Sequence, residues 1–243
     1  MKRAFLIWIT LISLLINLWI DNIRFTIFQT KKNEKIRVQI KRASWFTNQL
    51  IKLGSAFIKI GQLLSARPDL IPNTWIQELS KLQDQVPNFS FTQVEETIRN
   101  ELGSKFNEID QIICDPVGSA SLAQVHRATL KDGKKVVFKV QRPNLKELFI
   151  MDLGIMQQIA GLLQKNKNWS KGRNWVEIAK ECRKVLMKEL DFNCEAQYAA
   201  RFRQQFLDDE NVEVPEVIWD MSSEKVLCLS YVCLLYTSPS PRD

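Results

Sequence analysis

The stretch that decides the fold is GSASLAQVHRATLKDGKKVVFKVQRP, Gly118 to Pro143. Within it, SLAQVHRATL and KKVVFKVQ are short and rich in β-branched residues, as strands are. They are joined through Asp132-Gly133, a strong hairpin signal. Ahead of the hairpin lies a small polar loop, and the second strand carries Lys139 at its centre. Side chains alternate along a strand, so Lys139 shares a face with Val137 and Gln141, opposite Val136, Phe138 and Val140. A lysine in the middle of an apolar strand must either reach solvent, as on an edge strand, or meet a buried anion, because an unpaired buried charge is very costly.

Downstream, Leu145 to Leu163 reads as helical. NWVEIAKECRKVLMKELDFNCEAQYAARFRQQF reads as one long amphipathic helix, or two broken near Asp191. VEVPEVIWD and KVLCLSYV read as two further strands. Upstream, residues 31–112 read as helical. Apolar residues recur at three- and four-residue spacing from Trp45 and Phe46 to Leu63 and Leu64, until Arg67-Pro68-Asp69 breaks the pattern. A helix with Trp75, Leu79, Leu82 and Val86 on one face follows, closed by Pro87. FTQVEETIRNELG places Thr92 as an N-cap, Glu95 in the capping-box position and Gly103 as the stop. Helices, a hairpin, a long helix and another strand pair predict an α+β fold, with an antiparallel sheet and long helix behind an N-terminal helical extension.

At 243 residues, 45% apolar and 25% charged, the chain is ordinary for a globular protein of one or two domains. The charge is uneven. Residues 1–67 hold 12 Lys/Arg against 2 acids, and the remainder 22 against 25, which recovers the net +7. The basic third surrounds AFLIWITLISLLINLWI, residues 4–20, an uncharged run of 17. About 17 residues is the short limit for a bilayer span. No small-x-small cleavage site follows, so a membrane-inserted or interfacial helix is expected over a signal peptide or a buried helix. The cluster from Lys31 to Arg42 favours anionic lipid over nucleic acid and a cytosolic main body. No C-x-x-C or Cys/His pair occurs, Cys114, Cys182 and Cys194 lie in apolar or helical contexts, and a single histidine excludes a two-His metal site.

Three constellations carry chemistry. Glu195 and Asp191 are four apart, and like charges at that spacing on one helix are mildly unfavourable. A cation such as Lys139 would relieve them, as when a kinase strand lysine pairs with a helix glutamate to orient phosphates; otherwise they form a solvated acidic patch. In the loop only Gly118 is glycine, and Ala120 and Ala123 add β-carbons where phosphate loops favour bare backbone. Its N–H donors remain, and no G-x-x-x-x-G-K-[ST] occurs. His126 reads as structural. Lys59 and Gln62, three apart on a helix, taken alone read as a solvent-facing pair.

KIGQLLSARPDLIP, ELSKLQDQVP, GSASLAQVH, VVFKVQRP and ELDFNCEA together resemble the UbiB family of atypical protein-kinase-like proteins, in order and at similar spacing, over residues 45 to 232. The apolar helix ending LWID looks most like cyanobacterial and plastid-type members. The resemblance implies that Lys59 and Gln62 fill a K-x-G-Q motif that folds over the nucleotide site and blocks ordinary protein substrates. It implies that Lys139 is the strand lysine and Glu195 its helix partner. Glu189 and Asp191 form an E-x-D motif that helps order the active site. Gly118, Ser119, Ala120, Ser121, Leu122 and Ala123 form the alanine-rich loop that replaces the kinase glycine loop. By the same resemblance the cofactors are ATP and Mg2+, with the metal ligands in a helical C-lobe that does not follow here. The implied function is an atypical kinase or ATPase supporting isoprenoid-quinone biosynthesis, its kinase-like part on the cytosolic or stromal side of a membrane. The implied partners are a membrane lipid or quinone precursor and quinone-biosynthesis enzymes. The alternative is a non-catalytic membrane scaffold. Gly118 departs mildly from the family's usual alanine. CLLYTSPSPRD, Cys233 to Asp243, breaks in composition from the preceding strand and reads as non-native sequence on a truncated frame. The expected layout is an apolar helix to residue 30, a helical extension over 31–112, a kinase-like N-lobe over 113–232 and that tail.

Overall fold

The structure is a computed structural model describing residues 2–27, 31–82, 88–209 and 211–232. Val86, Pro87 and the tail from Cys233 lie outside the described residues.

The apolar run forms α1 (Lys2–Ile27), followed by α2 (Lys32–Leu53), α3 (Ser55–Ser65) and α4 (Asn73–Leu79). The apolar pattern from Trp45 to Leu64 does not run through one helix. Gly54, at φ +88°, divides it into α2 and α3, a conformation that residues with a β-carbon rarely adopt. α5 (Phe91–Leu102) ends at Gly103 as expected, but its N-cap is Ser90, not Thr92. The Ser90 hydroxyl accepts from the Gln93 N–H, and the Gln93 side chain accepts from the Ser90 N–H. The reading of 31–112 as helical fails at its end. After a 3₁₀ segment, Ile109–Ile112 is β1, drawn into the sheet by pairing with β3 (Ala123–Leu130). β2 (Gly118–Ser119) and β4 (Lys135–Gln141) complete the hairpin region. α6 (Leu145–Lys165), α7 (Lys167–Ser170), α8 (Trp175–Glu189), α9 (Phe192–Gln205) and β5 (Val226–Ser230) follow. VEVPEVIWD is not a strand. It contributes one bridge, Val217 to Leu229, and a 3₁₀ turn at Trp219–Met221, consistent with Pro215 lacking the N–H a ladder needs.

The chain forms two compact units, neither of them continuous in sequence. The first comprises residues 1–87, 120–122 and 144–187. In it α1 and α2 run antiparallel, joined near both ends. The Arg3 guanidinium donates to the Asp152 carboxylate of α6 at 2.7 Å and to the Leu53 carbonyl at 2.8 Å. Arg42 donates to both oxygens of Asp21 at 3.0 and 3.1 Å. Asp152 is fully buried, and the Arg3 guanidinium is the cation that faces it there.

The second unit comprises residues 88–119, 123–143 and 188–243, and α5 and β1 therefore belong with the sheet. The sheet is antiparallel in the order β1-β3-β4-β5, with β2 also paired to β3. One face packs Phe138, Val136 and Val140 against Val94, Ile98 and Leu102 of α5. Cys228 lies in that core, where burial pushes its thiol up to about 12. The other face packs Ala123 and Leu227 against Phe192 and Ala196 of α9.

Candidate active site

β4 is paired on both sides, with Lys139 in register with Val125 of β3 and Leu227 of β5. The edge-strand explanation for this lysine therefore does not hold. The side chain points to the α9 face, as the alternation predicts. Its Nζ donates to both oxygens of Glu195, at 2.6 and 2.7 Å. It also lies 5.1 Å from the centre of the Phe192 ring. The lysine side chain is 28% exposed and the glutamate 45%, so the pair is reachable from solvent. An ammonium has three N–H donors; two serve Glu195, and a phosphate oxygen could take the third.

What holds Glu195 opposite the lysine is the start of α9. Asp191 is not on the same helix turn as Glu195. It is the N-cap of α9, in extended conformation, and its carboxylate accepts from the Asn193 N–H at 3.0 Å. The i, i+4 repulsion argued from sequence does not arise. The acid at 191 instead caps the helix where its dipole favours negative charge. Glu189 closes α8, so E-L-D spans a helix end, a break and a cap. Two further bonds fix the break. The Gln141 amide donates to the buried Leu190 carbonyl at 2.7 Å, and the Phe192 N–H donates to the Glu224 carbonyl at 2.9 Å. Gln141 was not among the expected site residues, although it shares Lys139's face two positions on.

Ahead of the hairpin, Gly118 pairs with Val125 and Ser119 with Gln124. Gly118, Val125 and Lys139 thus share one rung of the sheet. A β-carbon added at Gly118 would meet nothing within 4 Å, so there is open space on the lysine's rung. The Ser119 hydroxyl accepts from the Arg142 guanidinium at 3.2 Å. Arg142 is a second cation at the loop that sequence reasoning passed over; burial lowers its pKa. Ala120, Ser121 and Leu122 belong to the first unit, and Ser121, Leu122 and Ala123 are buried. The lysine and the open rung beside it fit a phosphate chain. Among the described residues no three His, Cys, Asp or Glu side chains gather to hold a metal, so no Mg2+ ligand set is assigned.

Lys59 and Gln62 lie on α3 in the first unit. Gln62 is not simply solvent-facing, since its amide donates to the Leu82 carbonyl at 2.7 Å. Between them Gly61 lets Leu82, Leu50 and Leu79 approach. A β-carbon there would come within 2.3 Å of Leu82 and 2.9 Å of Leu50. His126 is buried, its Nδ1 2.9 Å from the Ile113 carbonyl oxygen and its ring against Phe91, as a structural residue would be. Cys114 departs from its apolar reading and is exposed.

An antiparallel sheet whose central strand lysine is held by a glutamate on the packed helix defines a protein-kinase-like N-lobe. The chain belongs to the ABC1 atypical kinase-like family, whose domain matches residues 81–233. The resemblance read from the motifs is borne out. The chain is 42% identical over 238 residues to the chloroplastic protein Activity of BC1 complex kinase 7 of Arabidopsis thaliana, covering 96% of this chain and 34% of that one. It is 40% identical over 236 residues to an uncharacterised protein of Synechocystis, covering 95% and 40%. It is 39% identical over 186 residues to the probable protein kinase UbiB of Marinobacter nauticus, covering 75% and 34%. Among solved structures, the complex of Rv3197 with erythromycin from Mycobacterium tuberculosis matches with a TM-score of 0.54 at 29% identity, over 83% of this chain and 51% of that one. The chain spans two fifths or less of the length of these curated relatives.

Proposed function

We propose that this chain carries the phosphate-holding part of an atypical kinase or ATPase of the UbiB type, supporting isoprenoid-quinone biosynthesis at a membrane. The observation that carries this reading is the two-pronged Lys139–Glu195 contact, set from a central strand to a capped helix. Lys139 would orient the phosphates of ATP, with Glu195 holding the ammonium. Asp191 and Glu189 set the start of the helix that carries Glu195. Lys59 and Gln62 would restrain access by protein substrates. Bound Mg2+ would supply charge neutralisation. The test is ATP hydrolysis by the complete gene product and its Lys139→Ala variant. Loss by a factor on the order of 10²–10³ is expected on removing such a charge-stabilising group, and unchanged hydrolysis would sink the assignment.

The membrane part of this reading rests on α1, which is long and apolar enough to cross a bilayer by length and composition. Its ion pairs at both ends favour a helix lying in the membrane surface, with the kinase-like part on the cytosolic or stromal side. Its partners would be a lipid or quinone precursor and quinone-biosynthesis enzymes. The exposed side chains of Phe5, Ile9, Ile12 and Ile16 also suit a non-catalytic scaffold. That second reading predicts equal lipid binding, and no hydrolysis, with or without Lys139.

A further inference from the structure

Five helices of the first unit, α1, α2, α3, α6 and α8, line a partly open cavity of about 220 Å³. Ile7 and Leu11 of α1, Phe57 of α3, Met156 of α6 and Trp175 of α8 are representative of its walls. Three lining side chains carry polar groups. The Thr10 hydroxyl donates to the Leu6 carbonyl of its own helix at 2.9 Å. The others are the Cys182 thiol, whose pKa burial raises, and the single indole N–H of Trp175. Water entering such a space finds too few partners to replace its lost hydrogen bonds, while leaving it empty forgoes contacts on every wall.

We propose that this cavity takes up one hydrocarbon chain of a neutral or anionic lipid. The cavity belongs to the first unit and Lys139 and Glu195 to the second, and the proposal goes beyond the nucleotide reading without depending on it. Three observations select the occupant. First, walls that are apolar apart from three side chains suit hydrocarbon and reject a headgroup. Second, a cavity of about 150 Å³ admits a benzene molecule, so this one holds on the order of ten carbon atoms, a length of single chain. Third, α1 presents Ile7, Thr10 and Leu11 to the cavity and Phe5, Ile9, Ile12 and Ile16 outward. A chain leaving a bilayer on the outer side of that helix meets apolar surface on both. The exposed Lys2, Lys41 and Lys52, in the segment of net +10, favour anionic over cationic headgroups outside the cavity.

The test uses the full chain in amphipol, with 9,10-dibromostearic acid as a quencher of tryptophan emission. Saturable quenching by one probe per chain is expected, and Trp175→Phe should remove most of it. Filling the cavity with Ala160→Phe and Ala179→Phe should abolish the saturable phase while leaving the far-ultraviolet circular dichroism unchanged. If that double variant does not fold, Ala160→Leu must weaken the binding. Competition by oleic acid or by farnesol tells an acyl from an isoprenoid chain. Stearylamine should bind roughly fivefold more weakly than stearic acid, the effect of about one nearby lysine. Quenching that is linear in probe, or that persists unchanged in the folded filled variant, overturns the proposal.

Discussion

Lys139 illustrates how little a contact's contribution to stability says about its contribution to chemistry. Its pair with Glu195 is well formed but partly exposed, and such pairs contribute about 1 kcal/mol or less. Removing the lysine leaves Glu195 close enough to solvent to be hydrated. Lys139→Ala should therefore lower the melting temperature by no more than about 2–4 °C in a chain of this size, alongside its large loss of hydrolysis. A drop beyond about 10 °C in differential scanning calorimetry would make the lysine chiefly structural. The facing of this residue was legible in the period-two alternation of VVFKVQ. Its partner was not, because Lys139 and Glu195 are 56 residues apart and only the motif resemblance linked them. Nor was its central position, which depends on β5 pairing from the far end of the chain. Gln141 was overlooked for a similar reason: its acceptor, the Leu190 carbonyl, is backbone at a helix break that sequence located only approximately.

At the scale of elements, sequence reasoning located the hairpin and the long helices but misplaced several boundaries. Ser90 and Thr92 are both competent caps, and both start a capping-box pattern, so the residue types could not choose between them. The structure gives the role to Ser90. Ser90→Ala should destabilise the protein by about 1 kcal/mol, whereas Thr92→Ala, inside the first turn, should stay within about 0.5 kcal/mol. Urea titration of both variants decides it, and a larger loss in Thr92→Ala than in Ser90→Ala would return the cap to Thr92. β1 was hidden because four residues carry too short a pattern to compete with the helix before them. The K-x-G-Q segment concealed a packing role. Gly to Ala inside a helix ordinarily stabilises by about 1 kcal/mol. At Gly61 the new methyl group would meet Leu82 and Leu50, and both leucines are buried. Overpacking typically costs about 1–3 kcal/mol, so Gly61→Ala should be destabilising by about 1 kcal/mol in the same titration. A stabilised variant would show that the leucines repack freely.

For the molecule as a whole, the open question from sequence was whether the apolar helix spans a bilayer or lies on it. Composition could not answer, because 26 residues of α1 measure about 39 Å, enough to cross a core of about 30 Å. The ion pairs supply the missing constraint. Arg3 is tied to α6 and the end of α2, and Asp21 is tied to Arg42 of the same α2. These anchor points lie about 27 Å apart along α1. If α1 spanned, α2 would have to descend beside it, carrying the exposed Asn48, between the two anchor points, into hydrocarbon. Moving an amide there with no partner to replace water costs about 2–7 kcal/mol. A helix in the interfacial plane avoids that cost, with its exposed apolar stripe towards the acyl chains and the basic residues among anionic headgroups. In sealed vesicles of mixed neutral and anionic lipid, with the five cysteines of the chain replaced by alanine, Lys2→Cys and Thr26→Cys should both react with an impermeant maleimide from the side on which the protein was added. Labelling of one only, with the other protected until detergent is added, would show that α1 crosses the bilayer and that at least one of the two ion pairs breaks on insertion.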